Sequence, residues 1–224
     1  MIKMRRKRTR LSNATIHEVD QEEQMILGES QMSGMDFGPD RIPRGIETEE
    51  NRIFFYCPIG DREALELNRL IRRLDIEMQY LQNRLDCGEV PIHLHIQSPG
   101  GSVFAGLSIY DTIKNCKTPI YTYVEGAVAS AATIIACAGE KGKRFVGKSA
   151  CMLVHQPHLE WVGKLDDFRD EIENQKQIYD KLISIYLENT KFKKKELTEL
   201  LEHELWLSAE KCIEKGLVDE LMNS

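Results

Sequence analysis

Three short stretches hold residue types that together could carry out acyl transfer. The first is "EGAVASAATIIACAG", Glu125 to Gly139, where one hydroxyl, Ser130, stands among Ala, Val and Ile. A serine attacks a carbonyl only with help. It needs a base to take its proton, a group to orient that base, and donors for the oxyanion. The second stretch is "ACMLVHQP", in which His155 closes an apolar run just before Gln156 and Pro157. Proline cannot donate to a strand ladder, so it helps end the strand where a side chain can face a cleft. The third is "SPGG", Ser98 to Gly101, whose two glycines let backbone approach a ligand closely. Each stretch also has a plainer reading. A lone serine among alanines packs as core where a helix meets a sheet, and a histidine at a strand end can be purely structural.

The flanking sequence must place these pieces. "RIFFYC", from Arg52, predicts a strand rich in aromatics. After "PIGD", Leu67, Leu70, Ile71, Leu74, Met78, Leu81 and Leu85 recur at intervals of three and four. They form one face of a long helix, with Gly88 as its stop. "PIHLHIQ" alternates as a half-buried strand. His93 and His95 share its polar face; a metal pair is possible, but no third ligand is evident. "VFAGLSIYDTIKNC" has helical spacing, and "PIYTYV" predicts a strand that ends in a turn at Gly126. The helix carrying Ser130 follows. "KRFVG" and "ACMLVH" predict two more short strands, and a long amphipathic helix spans roughly Leu165 to Glu188. A further helix covers about Lys193 to His203. "SAEKCIEKG" is a last short one, with Ser208 as N-cap and Gly216 just past its end.

Strands alternating with helices predict an α/β fold with a mostly parallel sheet. In such a sheet the strand ends before "SPGG" and before Ser130 lie on the same edge, where open α/β sheets bind ligands. The N–H of Ala131 is a natural oxyanion donor because it opens a helix. "SPGG" could supply a second.

Bulk composition narrows the class. The chain has 224 residues, enough for one α/β domain with a tail. Its 30 Lys and Arg stand against 36 Asp and Glu, so nothing in the charge calls for nucleic acid. The six cysteines form no C-x-x-C pair and no cluster with histidine, which argues against a zinc site or a redox motif. No run is long and apolar enough to span a bilayer, and no secretory apolar segment opens the chain. The expectation is a cytoplasmic protein without a metal or cofactor of its own. Residues 1–50 differ from the rest: a decamer with six basic residues, then an acidic stretch, then a turn-rich one. This predicts a mobile or partner-ordered arm, with residues 51–224 as the folded domain. The basic decamer reads as a solvated tail, or as an address or nucleic-acid contact.

Four segments in order, "SPGGSVFAGLSIYDTI", "GAVASAATIIACAGEKGKRFV", "MLVHQP" and "LWLSAEKCIEKGLVDEL", resemble the proteolytic subunit of the ATP-dependent Clp protease. The resemblance covers roughly Arg52 to the C-terminus. It implies a crotonase-like α/β subunit with a handle helix, and peptide-bond hydrolysis through an acyl-enzyme. It assigns Ser130 as nucleophile, His155 as general base, and the N–H groups of Gly101 and Ala131 as the oxyanion hole. The family's aspartate falls, by register, on Glu204 here, with Glu202 as a neighbouring alternative. The implied assembly is two stacked heptameric rings around a chamber. A AAA+ unfoldase of the Clp type feeds unfolded chains into it and spends the ATP.

The sequence also departs from the family's pattern. Glu204 replaces an aspartate, and His203 stands where the family has an arginine. "HLEWVGKLDD" replaces a glycine-rich stretch after "HQP", with Trp161 at an interface or lining the cleft. Ala131 replaces the usual methionine, which implies a larger side-chain pocket beside it, and the N-terminal arm is longer. Two further readings stay open: a weak or inactive ring subunit that completes an active assembly, and another crotonase-fold enzyme acting on acyl-CoA.

Overall fold

A computed structural model describes residues 45–157 and 164–222. The described elements run β1 (Ile46–Glu49), β2 (Arg52–Phe55), α1 (Asp61–Leu85), β3 (Ile92–Ser98), α2 (Val103–Lys114), β4 (Ile120–Ala129), α3 (Ala131–Cys137), β5 (Arg144–Val146), β6 (Cys151–Leu153), α4 (Leu165–Asn189), α5 (Lys194–Leu201), β7 (Trp206–Ser208), α6 (Ala209–Lys215) and β8 (Glu220–Leu221). The sheet order is β1-β2-β3-β4-β5-β8, with β6 on β4 beyond β5 and β7 on β6. Five pairings are parallel; β1–β2 and β6–β7 are antiparallel.

The periodicities explain most of this. In β3, Ile92, Leu94 and Ile96 are fully buried while His93, His95 and Gln97 are half-buried on the other face. In α1, Leu67, Ile71, Leu74 and Met78 are buried, but Leu81 and Leu85 are exposed. The helix therefore outruns the body it packs on. It stops at Asp86 in the left-handed region (φ 46°), two residues before the expected Gly88. Among the described side chains of α4, the buried ones are Leu182, Ile183, Ile185 and Tyr186, all in its last two turns, while Ile172 is half exposed. A long helix anchored at one end is the shape a handle requires.

Three expectations change. Ile46–Glu49 lie in the stretch read as an arm, yet they pair with β2 from Ile46↔Phe55 to Glu49↔Arg52. None of the four is buried, so backbone pairing holds them and no apolar alternation marks them. Gly126 does not end a strand. β4 continues through it to Ala129, and the β3–β4 register jumps from Ile96↔Val124 to Ser98↔Val128. Gly126 (φ 56°) lies in this irregularity, and a Cβ there would meet Gln97 Oε1 at 2.7 Å. Third, β6 ends at Leu153, so His155 stands two residues beyond the strand.

A buried ion pair closes the far side of the sheet. Arg144 on β5 is 3% exposed and donates to both Asp219 oxygens at 2.6 and 2.8 Å and to the Asn189 carbonyl at the end of α4. Burial alone would raise the Asp219 carboxyl. The guanidinium and the Gly142 and Arg144 N–H groups hold it below the usual carboxylate range instead. Among the described residues no helix is long and apolar enough to cross a membrane.

Candidate active site

Ser130 is the residue between β4 and α3. Its backbone sits at φ 54°, ψ −130°, a region that L side chains resist. Several contacts impose that conformation. The Ser130 N–H donates to the Leu153 carbonyl at 2.9 Å, and its own carbonyl accepts from Thr133 N–H at 3.0 Å. The "SPGG" turn presses on the same point. A Cβ built on Gly100 would stand 2.6 Å from both the Ala129 carbonyl and Ser130 Cβ, and 3.0 Å from Ala131 N. Only a glycine lets this turn lie against the serine.

The turn itself is pinned from the other side. The Ile59 N–H donates to the Gly100 carbonyl, and the Ser102 N–H donates to the Ile59 carbonyl. Gly101 (φ 145°) bridges Ile59, whose carbonyl would be 2.2 Å from a Cβ at that position. The expected pair of backbone donors, at Gly101 and Ala131, thus belongs to two segments in contact at Ser130. Ala131 opens α3, so its N–H has no partner within the helix. Its side chain is 3% exposed and packs toward Gly106 of α2, where a Cβ would be 3.1 Å from Ala131 Cβ. A residue larger than glycine at position 106 would crowd Ala131.

The strand ladders carry the remaining pieces to the same edge. β4 and β6 are parallel, with Ala129 beside Leu153. Ser130 and His155 therefore leave neighbouring strands at the same end. β6 and β7 are antiparallel, with Leu153 beside Trp206. Continuing that register by two residues on each strand sets His155 opposite Glu204. The contact is present: His155 Nδ1 lies 3.5 Å from Glu204 Oε1, at the outer limit of hydrogen-bond distance. Nδ1 is shielded from solvent, whereas the Glu204 side chain is 65% exposed. An Nδ1–H turned toward a carboxylate leaves Nε2 as the basic nitrogen. The Gln156 N–H donates to the Leu201 carbonyl at 3.1 Å and ties this segment to the end of α5.

His155, Glu202, His203 and Glu204 line a pocket of about 300 Å³ together with Gln156, Pro157 and Leu201. A larger cavity of about 720 Å³ lies between α1, α2 and α4, with no candidate residue on its wall. Trp161, His158 and the segment after Pro157 fall outside the described residues, as does the basic decamer.

His93 and His95 have a different setting. Phe54, His95, Tyr123 and Phe145 sit in register across β2 to β5 and stack with centroids 4.7, 4.5 and 5.0 Å apart. His93 Nδ1 meets the Tyr123 hydroxyl at 2.8 Å, and His95 Nδ1 meets Glu125 Oε1 at 2.9 Å. Tyr56 donates to the other Glu125 oxygen. Among the described residues no three His, Cys, Asp or Glu side chains converge as a metal site.

Two residues near Ser130 escaped the sequence reading. Thr133 Oγ donates to the Ser130 carbonyl at 2.7 Å, and Tyr186 of α4 lies 2.6 Å from that same hydroxyl. A polar residue one turn after Ser130 in an apolar run is a signal for Thr133. Nothing local marks Tyr186.

Comparison with known proteins agrees with the geometry. The profile of the Clp protease family matches residues 49–224. The ATP-dependent Clp protease proteolytic subunit of Deinococcus radiodurans is 30% identical over 135 residues, 60% of this chain and 66% of that protein. Proteolytic subunit 1 of Protochlamydia amoebophila is 30% identical over 187 residues, 83% of this chain and 86% of its own. Proteolytic subunit 1 of Rhodopirellula baltica is 32% identical over 173 residues, 77% of this chain and 73% of its own.

Proposed function

Because the chain belongs to the Clp protease family, we propose that it is a serine endopeptidase subunit that cuts unfolded chains handed to it by a AAA+ unfoldase. One observation supports this most: a strained serine and a paired histidine and carboxylate all lie at the shared end of β4, β6 and β7, beside the two-glycine turn.

In this reading Ser130 Oγ attacks the scissile carbonyl and His155 Nε2 takes its proton. Glu204 orients the ring and steadies the imidazolium. The Gly101 and Ala131 N–H groups receive the oxyanion of the tetrahedral intermediate. His155 then protonates the leaving amine, and the acyl-enzyme is released by water. The chemistry needs no metal or cofactor in this chain, and ATP is consumed by the unfoldase. Two stacked heptameric rings would confine the site to a chamber, which makes a site of low selectivity safe in the cytoplasm.

A second reading has its own observation. Glu204 is mostly exposed and 3.5 Å from Nδ1, which suits a weakly activated subunit that completes a ring beside an active paralogue.

A fluorophosphonate probe on the sized, assembled protein separates the two. Labelling that disappears in Ser130→Ala is expected. An assembled double ring that takes no label would refute the active-protease reading, and a mass far below a double ring would refute the assembly.

A further inference from the structure

The Ser130 carbonyl is anchored by a short hydrogen-bond chain that ends in α4. It accepts from Thr133 twice, from the backbone N–H at 3.0 Å and from Oγ at 2.7 Å. Tyr186 Oη is 2.6 Å from Thr133 Oγ. A hydroxyl carries one proton, and a carbonyl can only accept. Thr133 gives its proton to Ser130, so the proton between the two hydroxyls comes from Tyr186. The chain runs one way: Tyr186 O–H to Thr133 O–H to Ser130 C=O. Thr133 is 0% and Tyr186 3% exposed, so bulk water does not compete for these groups.

The Ser130 carbonyl and the Ala131 N–H belong to the same peptide unit. That unit is planar and trans, so its C=O and N–H point in opposite directions. Whatever fixes the carbonyl also aims the N–H. Accepting hydrogen bonds polarises the unit and makes its N–H a better donor. The need for an anchor is clear from the backbone, since φ 54° and ψ −130° at Ser130 persist only where the surroundings enforce them.

We propose that Thr133 and Tyr186 are positioning residues of the oxyanion hole, locking the Ser130–Ala131 peptide so that the Ala131 N–H faces the reacting oxygen. This rests on Ser130 being the nucleophile. The pair touches neither substrate nor the reacting atoms. It acts through the peptide plane alone.

The test uses the assembled full chain with Thr133→Val, Thr133→Ser and Tyr186→Phe. Turnover of a short peptide ester gives kcat and KM, and a peptide boronate, whose tetrahedral adduct needs the same donor, gives an inhibition constant. Thr133→Val is expected to lower kcat about 100-fold with KM within about twofold. Boronate affinity falls by a similar factor. Tyr186→Phe costs about tenfold, and Thr133→Ser stays within about threefold of the parent. Hydrogen exchange at the Ala131 amide reads the same peptide plane without turnover, and is expected to quicken at least tenfold in Thr133→Val.

Unchanged kcat and unchanged Ala131 exchange in Thr133→Val would overturn the proposal, even if the variant unfolds at lower temperature. A parent that takes no label at Ser130 would overturn the protease reading instead. The exchange result then decides the positioning role by itself.

Discussion

His155 and Glu204 face each other two residues beyond the end of the β6–β7 ladder, with Nδ1 3.5 Å from Oε1. The ladder sets the partnership, and the longer side chain of glutamate spans the gap. A carboxylate this exposed is screened by water, so its hold on the imidazole is weaker than that of a buried acid. Glu204→Ala is expected to slow fluorophosphonate labelling about 100-fold, short of the roughly 10,000-fold typical of a buried triad acid. Glu204→Gln should fall at least as far, because an amide nitrogen facing Nδ1 favours the wrong tautomer. Labelling of Glu204→Ala at the parent's rate would exclude Glu204 as the orienting acid.

Strain at Ser130 makes a prediction about stability. Its positive φ costs about 1–3 kcal/mol, and glycine adopts that conformation freely at an entropic cost of about 0.5–1 kcal/mol. Both Ser130→Gly and Ser130→Ala lose labelling. Chemical denaturation should find the glycine variant the more stable by about 1 kcal/mol. An alanine variant as stable as the glycine variant would mean that the backbone relaxes when the hydroxyl goes.

The "SPGG" turn tolerates no side chain at its last position. A Cβ at Gly101 would meet the Ile59 carbonyl at 2.2 Å, and backbone cannot swing away as a flexible side chain does. Gly101→Ala is expected to cost about 3 kcal/mol or more, and to abolish labelling by displacing the N–H proposed to receive the oxyanion. Gly88→Ala is the control. No atom lies within 4 Å of a Cβ there, so its stability should change by less than about 0.5 kcal/mol. A Gly101→Ala protein that labels normally would remove Gly101 from the oxyanion hole.

His95 predicts a pH dependence of folding. Burial lowers its imidazole to about 4, with the nearby His93 and Arg52 adding to the effect, despite Glu125 at 2.9 Å. An unfolded histidine titrates near 6.5. Between these values the unfolded chain binds the proton and the folded one does not, so stability rises with pH across this window. Acidification from about pH 6.5 to pH 4 should therefore cost on the order of 2 kcal/mol after allowance for partial exposure. His95→Gln should flatten that part of the curve. An unchanged slope in the variant would assign the acid sensitivity to other groups.

Much of the fold was legible because periodicity is local. Alternation in "PIHLHIQ" fixed which face of β3 is buried, and three-and-four spacing marked the face of α1. Caps were legible for the same reason: Ser208 accepts from the Lys211 N–H, and Gly216 takes the left-handed turn. β1, β7 and β8 carried no such mark. They are two to four residues long, too short for alternation to register, and each exists only because a neighbouring strand edge accepts it. Gly126 sits at a register shift inside a strand where the sequence predicts a turn, because a glycine in an irregular strand and a glycine in a turn look alike along the chain.

The sequence by itself determined the order of the chemical parts: a two-glycine turn, a serine after a small-residue strand, a histidine before a proline, and a carboxylate before the last helix. Tertiary structure decided how they are aimed. The β6–β7 register put Glu204 across from His155. A tyrosine on a distant helix, through Thr133, anchored the carbonyl of Ser130. Neither relationship has a local period, since both are set by backbone ladders and packing between segments far apart in the chain. A side chain's type and neighbours can be read from sequence. The direction in which one peptide N–H points depends on what holds the other end of its plane.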